Sequence, residues 1–192
     1  MTQDLKFSCT CGKTHWVLNG ISPDTASRAK CYCKDCQAFA RHLGKADFLD
    51  THGGTDSNQA AGDKVEFTKG CENIGVLQLS PKGLLRWHTT CCNTPIANTM
   101  ASTTLGFASL LLQPNMDSHI LGAVKSHVNV GTTNGALKQR GLWLLVRKFL
   151  GRMICARLTR SWRQSAFFDD DLSPIATPRV LTLKERQDAT PG

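Results

Sequence analysis

The stretch Arg28-Ala-Lys-Cys31-Tyr-Cys33-Lys-Asp-Cys36-Gln-Ala-Phe-Ala-Arg-His42 decides how the chain is read. Residues 26–33 have strand character and run into Cys31-Tyr-Cys33. Lys34 to His42 has the composition of a short helix, ended near Gly44. In a strand, residues i and i+2 point the same way, so Cys31 and Cys33 offer their sulfurs to one side. Cys33-x-x-Cys36 is a short chelating loop whose tight turn brings both thiolates within reach of one zinc ion, with Zn–S about 2.3 Å. Cys31, Cys33 and Cys36 thus give three ligands and leave an open fourth position. Such a site could take a substrate thiol and hold it as a nucleophilic thiolate.

Working outward, a second pair stands at Cys9-Thr-Cys11-Gly12 and a third at Cys91-Cys92, with His88 just upstream. Cys9 and Cys11 offer two ligands of a closed, structural zinc site, and the Cys91–Cys92 region supplies the rest. His88 reads either as a packed strand histidine or as a substitute nitrogen ligand. Cys71 and Cys155 read as small buried hydrophobes. The nine cysteines are an odd number in 192 residues, about 5% of the chain against the 8–10% of a disulfide scaffold. Clustered in this way, they favour metal ligation over disulfides. The first residues carry an acid and no apolar run, so a secretory signal is not expected and a cytoplasmic location is.

The 41% hydrophobic and 20% charged content excludes a disordered chain. No apolar run approaches the roughly 20 residues of a bilayer span, which excludes an integral membrane protein. The formal net charge is +8, with 23 basic and 15 acidic residues. Eight of the basic residues lie between Lys138 and Arg163, where no acid occurs. The chain therefore has a cysteine-rich front and a basic back.

Residues 5–19 suggest two short strands around the Cys-Thr-Cys-Gly turn. Residues 51–63 are loop chemistry. Val65–Thr68, Ile74–Leu79 and Leu84–His88 read as strands, the last two joined by the turn Ser80-Pro-Lys-Gly83. Phe107–Leu112 suits a strand or a short helix. Residues 136–164 carry apolar side chains at 142, 145, 146, 149, 150, 153 and 154, which fit one broad helical stripe with the arginines largely off it. The last 25 or so residues, with three prolines and Asp169-Asp-Asp171, read as an extended tail.

Several of these pieces, taken in order, resemble the glutathione-dependent formaldehyde-activating enzyme (GFA) family. The matching residues are Cys9-Thr-Cys-Gly12, Cys31-Tyr-Cys-Lys-Asp-Cys36, Gly53–Gln59, Val65-Glu-Phe-Thr-Lys-Gly70, Ser80-Pro-Lys-Gly-Leu-Leu-Arg-Trp87 and Cys92-Asn-Thr-Pro-Ile96. The resemblance spans about residues 5–98. It implies a mainly β fold, a zinc-binding β-tent core of small antiparallel sheets, over 1–98. Residues 99–192 would form a C-terminal extension with a basic amphipathic helix near 136–165 and an extended tail. It further implies a structural zinc on Cys9, Cys11 and the late cysteines, and a catalytic zinc on Cys31, Cys33 and Cys36. The implied activity is that of a carbon–sulfur lyase acting on thiol–aldehyde adducts such as S-(hydroxymethyl)glutathione. The chain departs from the family by placing Thr89 where its motif has a first late cysteine, with Cys91 as an extra neighbour of Cys92.

As an enzyme of this type the protein would take glutathione or a similar small thiol as partner. Arg28, Lys30, Lys34 or Arg41 could meet its carboxylates, and His42 and His52 could lie near the open site. The alternative is a non-catalytic zinc-stabilised binding module using its basic helix. That helix reads first as a solvated face, then as a surface for lipid headgroups or nucleic acid. A thiol oxidoreductase would need a free reactive cysteine, for which only Cys71 and Cys155 stand outside the clusters.

Overall fold

Alternation of buried and exposed residues sets the first hairpin of the computed structural model, which describes residues 2–191. Strand β1 (Gln3–Ser8) sends Leu5 and Phe7 inward, and β2 (His15–Ile21) sends Trp16, Leu18 and Ile21. The two pair antiparallel, and β5 (Val65–Lys69) joins on the far side of β2 to give a three-stranded sheet. Gly12 turns the β1–β2 connection with a φ of 70°, a conformation that costs a glycine least.

The second sheet has eight strands in the order β10-β3-β4-β9-β8-β7-β6-β11. Its members are β3 (Arg28–Cys31), β4 (Thr55–Ala60), β6 (Ile74–Gln78), β7 (Leu85–Thr89), β8 (Pro95–Thr99), β9 (Ala108–Leu111), β10 (Ser126–Val128) and β11 (Arg179–Val180). Pairing is antiparallel except at the two edges, where β10 joins β3 and β11 joins β6 in parallel. The sheet runs straight across residue 98, because β9 lies between β4 and β8. Every residue of β7, β8 and β9 is buried, so this part of the sheet is covered on both faces.

One face packs on the three-stranded sheet. Trp16, Leu18, Trp87, Ile96, Leu110 and Phe167 form the main core there. The other face carries helix α1 (Lys34–His42) and helix α3 (Leu183–Ala189), whose neighbours Phe39, Leu43, Leu77, Leu79, Leu111, Leu181 and Ala189 form a second cluster. Helix α2 (Leu142–Thr159) lies over the β10 end through Leu145, Val128 and Ala29.

The mainly β architecture with antiparallel sheets and a C-terminal helical part agrees with the sequence reading. Three local readings need correction. Residues 55–60 are a buried strand, not a loop. Their side chains Thr55, Ser57 and Asn58 are polar yet buried; the backbone pairs with β3 and β9, the Ser57 hydroxyl donates to the Ala29 carbonyl and Asn58 Oδ1 accepts from the Ser27 N–H, while the Thr55 hydroxyl alone of the three has no partner. The tail is not simply extended. Phe167 and Phe168 enter the main core beside Trp87, and α3 is fixed by a capping box in which Thr182 and Glu185 satisfy each other's N–H groups. Finally, α2 does not put its apolar stripe inward. Leu145 and Ala156 are buried, while Leu142, Val146, Leu150 and Ile154 are exposed.

Candidate metal centres

Two turns at one end of the main core bring four cysteines together. Cys9 and Cys11 sit in the β1–β2 turn, and Cys91 and Cys92 in the turn from β7 to β8. The Cys9 and Cys11 sulfurs are 3.5 Å apart, those of Cys9 and Cys91 3.8 Å, and those of Cys11 and Cys91 3.4 Å. Cys91 and Cys92 sulfurs are 3.8 Å apart. Four thiolates about 2.3 Å from a tetrahedral ion would stand roughly 3.8 Å from one another. The Thr14 N–H donates to the Cys9 sulfur at 3.2 Å, and Thr89 and Thr94 hydroxyls lie 3.4 and 3.2 Å from that of Cys92. Burial pushes the Cys92 thiol up, but those hydroxyls and the Cys11 backbone outweigh it and bring the pKa down to about 5. Such contacts are the outer partners that metal thiolates need.

Thr89 thus stands beside the cluster as a hydrogen-bonding neighbour, and Cys91 completes the set. His88 belongs to neither cluster. The alternation of β7 turns its ring to the opposite face, against Gly75 and near His42 and Arg179, where burial lowers its pKa to about 4.

The second cluster is Cys31, Cys33 and Cys36. Cys31 ends β3, Cys33 is the N-cap of α1, and Cys36 lies in its first turn. The Cys31 and Cys33 sulfurs are 3.5 Å apart, and all three lie within 4.8 Å of one another. The Cys36 N–H donates to the Cys33 sulfur at 3.4 Å, which replaces the usual oxygen cap with a sulfur at the positive end of the helix. Sharing with the Cys33 and Cys36 sulfurs holds the Cys31 pKa far below the usual thiol range, while those of Cys33 and Cys36 are raised.

Two residues that the sequence reading did not single out complete this site. Asn129, carried in by parallel strand β10, donates its amide to the Cys31 sulfur at 3.3 Å. Arg86 on β7 is only 3% exposed. Its Nη1 lies 3.1 Å from Asn98 Oδ1 and 3.9 Å from the Cys36 sulfur, and its guanidinium sits over Phe39. The cross-strand pairing Arg86↔Asn98 places both. No local motif signals them; the one available cue was a charged residue flanked by Leu85 and Trp87 in a strand.

Cys31 and Cys36 border a cleft of about 290 Å³ between the sheet and α2. Thr55, Ser57, Asn98 and Ser109 give it a polar floor, and Leu142 and Leu145 of α2 roof it. The Thr55 hydroxyl, on the residue paired with Cys31, is buried without a hydrogen-bond partner. Gln59 lines both this cleft and a second one of about 620 Å³ under the C-terminal half of α2, and accepts from Arg152 at 3.0 Å.

None of the basic residues expected around the open site lines the cleft. Arg28 and Lys30 point to the other face of β3, where Asp56 and Asp50 pair with them at 2.9 and 2.8 Å. Lys34 and Arg41 are exposed on α1. His42 accepts from Arg179 at 3.2 Å, and His52 lies exposed in the turn before β4. Neither lines the cleft. Cys71 and Cys155, expected to be buried, are exposed.

Fold and site together define a mainly β protein with two cysteine clusters that could hold metal ions. The chain belongs to a family of unknown function, DUF6151, which matches residues 1–137. No curated protein matches it. Among solved structures, a Rhodobacter sphaeroides protein determined as a structural-genomics target is similar over 62% of this chain and 97% of its own, at 16% identity and a TM-score of 0.43.

Proposed function

We propose that the protein is a zinc-dependent carbon–sulfur lyase of the GFA type. Cys31, Cys33 and Cys36 would form its working centre, and Cys9, Cys11, Cys91 and Cys92 a structural one. The observation that carries this reading is that the three-cysteine cluster, one ligand short of a tetrahedron, borders a largely apolar cleft whose polar floor includes an unpaired buried hydroxyl. A zinc ion on three thiolates keeps an open position that binds a thiol sulfur and favours its thiolate form.

The chain's own residues set the remaining conditions. Arg86 brings a fixed positive charge beside Cys36, which offsets the repulsion of clustered thiolates. Asn129 and the N-terminus of α1 do the same for Cys31 and Cys33. Thr55 lines the same cleft, and its unpartnered hydroxyl would be the group that meets the oxygen of a hydroxymethyl adduct. In the reaction the C–S bond of HOCH2–SR breaks and its electron pair stays on sulfur. The O–H proton leaves, the C=O bond of formaldehyde forms, and the thiolate regains a proton from solvent. The reverse joins thiol and aldehyde. Roofing by α2 keeps the adduct from bulk water during the step.

Exchange spectroscopy by nuclear magnetic resonance on mixed formaldehyde and glutathione tests the proposal. Faster interconversion with protein, lost in Cys33→Ser, is expected; a rate unchanged by the protein overturns it.

A further inference from the structure

Helix α2 turns its greasier side to solvent. Its inward face carries Leu145, Phe149, Arg152 and Ala156, and Lys148 reaches in to donate to the carbonyls of Asp24 and Ala26. The outward face carries Leu142, Trp143, Val146, Leu150, Ile154 and Leu158, all exposed. Trp143 is 75% exposed and Leu158 81%. These two stand fifteen residues apart, so the apolar strip runs about 22 Å along the helix. A contiguous exposed strip of this kind marks an interaction surface.

Charge decides what covers it. Arg147 and Arg157 interrupt the strip and are exposed, and Lys138, Arg140, Arg160 and Arg163 lie exposed at its ends. No acidic residue occurs from 138 to 163. A second copy docking strip to strip would set Arg147 and Arg157 against the same residues of its partner, which opposes self-association. Nucleic acid would satisfy the arginines but leave the leucines and Ile154 without apolar cover. An anionic bilayer meets both needs, with acyl chains for the apolar side chains and headgroup phosphates for the arginines. No described helix is long and apolar enough to cross a membrane, so α2 would lie on one. Trp143, at the start of the helix, is the residue type that prefers the headgroup level.

We propose that the outer face of α2 docks the protein on an anionic lipid surface. This does not depend on the lyase reading, because none of the strip residues except Leu142 lines the thiolate cleft.

Co-sedimentation of the full chain with phosphatidylcholine vesicles, with and without phosphatidylserine, is the test. Binding is expected only to the anionic vesicles, and is lost near 1 M salt, where the Debye length is about 3 Å. Arg147→Gln should weaken it about fivefold, the effect of one basic charge near such a surface. Brominated lipid should quench tryptophan emission more in the wild type than in Trp143→Ser, since Trp16 and Trp87 are fully buried and Trp162 is half-buried under the Arg157 and Arg163 guanidinium groups. Both substituted side chains are exposed, so far-ultraviolet circular dichroism should stay unchanged. Failure to bind anionic vesicles overturns the proposal. So does binding to short duplex DNA without lipid quenching, and so does a dimer that Trp143→Ser dissociates in the absence of vesicle binding.

Discussion

Replacing Arg86 with Met should weaken metal binding at Cys31, Cys33 and Cys36 and spare the four-cysteine centre. Three thiolates around a divalent cation leave one net negative charge beside the guanidinium. Arg86 Nη1 is 3.9 Å from the Cys36 sulfur. At that distance and an effective dielectric of about 20, one unit charge on another is worth about 4 kcal/mol, or roughly a thousandfold in affinity. The negative charge is spread over three sulfurs, and Asp35, 3.9 Å from the guanidinium, draws part of its field. A loss of about 100-fold is therefore expected. Met preserves most of the stem that packs on Phe39, so the fold should survive. Arg86→Lys keeps the charge without the planar fork and should lose less. Competition with a chromophoric zinc chelator reads the two centres as separate steps. Equal weakening of both steps, or no change in either, would refute the assignment of Arg86 to the trithiolate.

Thr55→Val should leave stability within about 1 kcal/mol, because the hydroxyl it removes is unpaired, while slowing formaldehyde–glutathione exchange about tenfold or more; a rate equal to wild type would remove Thr55 from the site. His88 should make the fold acid-sensitive. Burial lowers its pKa from 6.5 to about 4, so the unfolded chain takes up the proton first. Its contribution is whole above about pH 6.5 and fades as pH falls toward 4, by up to about 3 kcal/mol. Denaturant melts of His88→Leu against wild type across that window should show a flatter profile for the variant, and parallel profiles would disprove the point. Gly54→Ala should destabilise by about 2 kcal/mol or more, since a Cβ there would collide with the Tyr32 ring and the Asp50 carboxylate; a thermal melt unchanged from wild type would contradict that packing.

What was legible in the sequence was what short-range chemistry controls. The Cys33-x-x-Cys36 turn fixes its own geometry, α1 carries its own cap, and Ser80-Pro-Lys-Gly83 closes the β6–β7 hairpin between residues close in sequence. Strand β4 was hidden because its face over the cleft must be polar, so Thr55, Ser57 and Gln59 give none of the apolar alternation by which a half-buried strand is recognised. Asn129 and Arg86 reach the trithiolate through β10 and β7, pairings that no local pattern encodes. The apolar residues of α2 were visible, but not which side of the helix they face. Arg152 and Lys148 turn inward because Ser27, Gln59 and the Asp24 and Ala26 carbonyls offer partners that only the folded sheet assembles. The tail held a readable signal in Thr182-Leu-Lys-Glu185, a capping box, whereas the burial of Phe167 and Phe168 depends on Trp87, some eighty residues away.

The central claim is that seven cysteines form two metal centres, and metal content measured together with thiol reactivity tests it most directly. Protein purified without added metal should carry about two zinc ions per chain. Under native conditions a thiol reagent should modify Cys71 and Cys155, the exposed cysteines outside both clusters, and the other seven should react only after denaturation with chelator. A chain free of zinc, with all nine thiols reactive in the native state, would contradict the account.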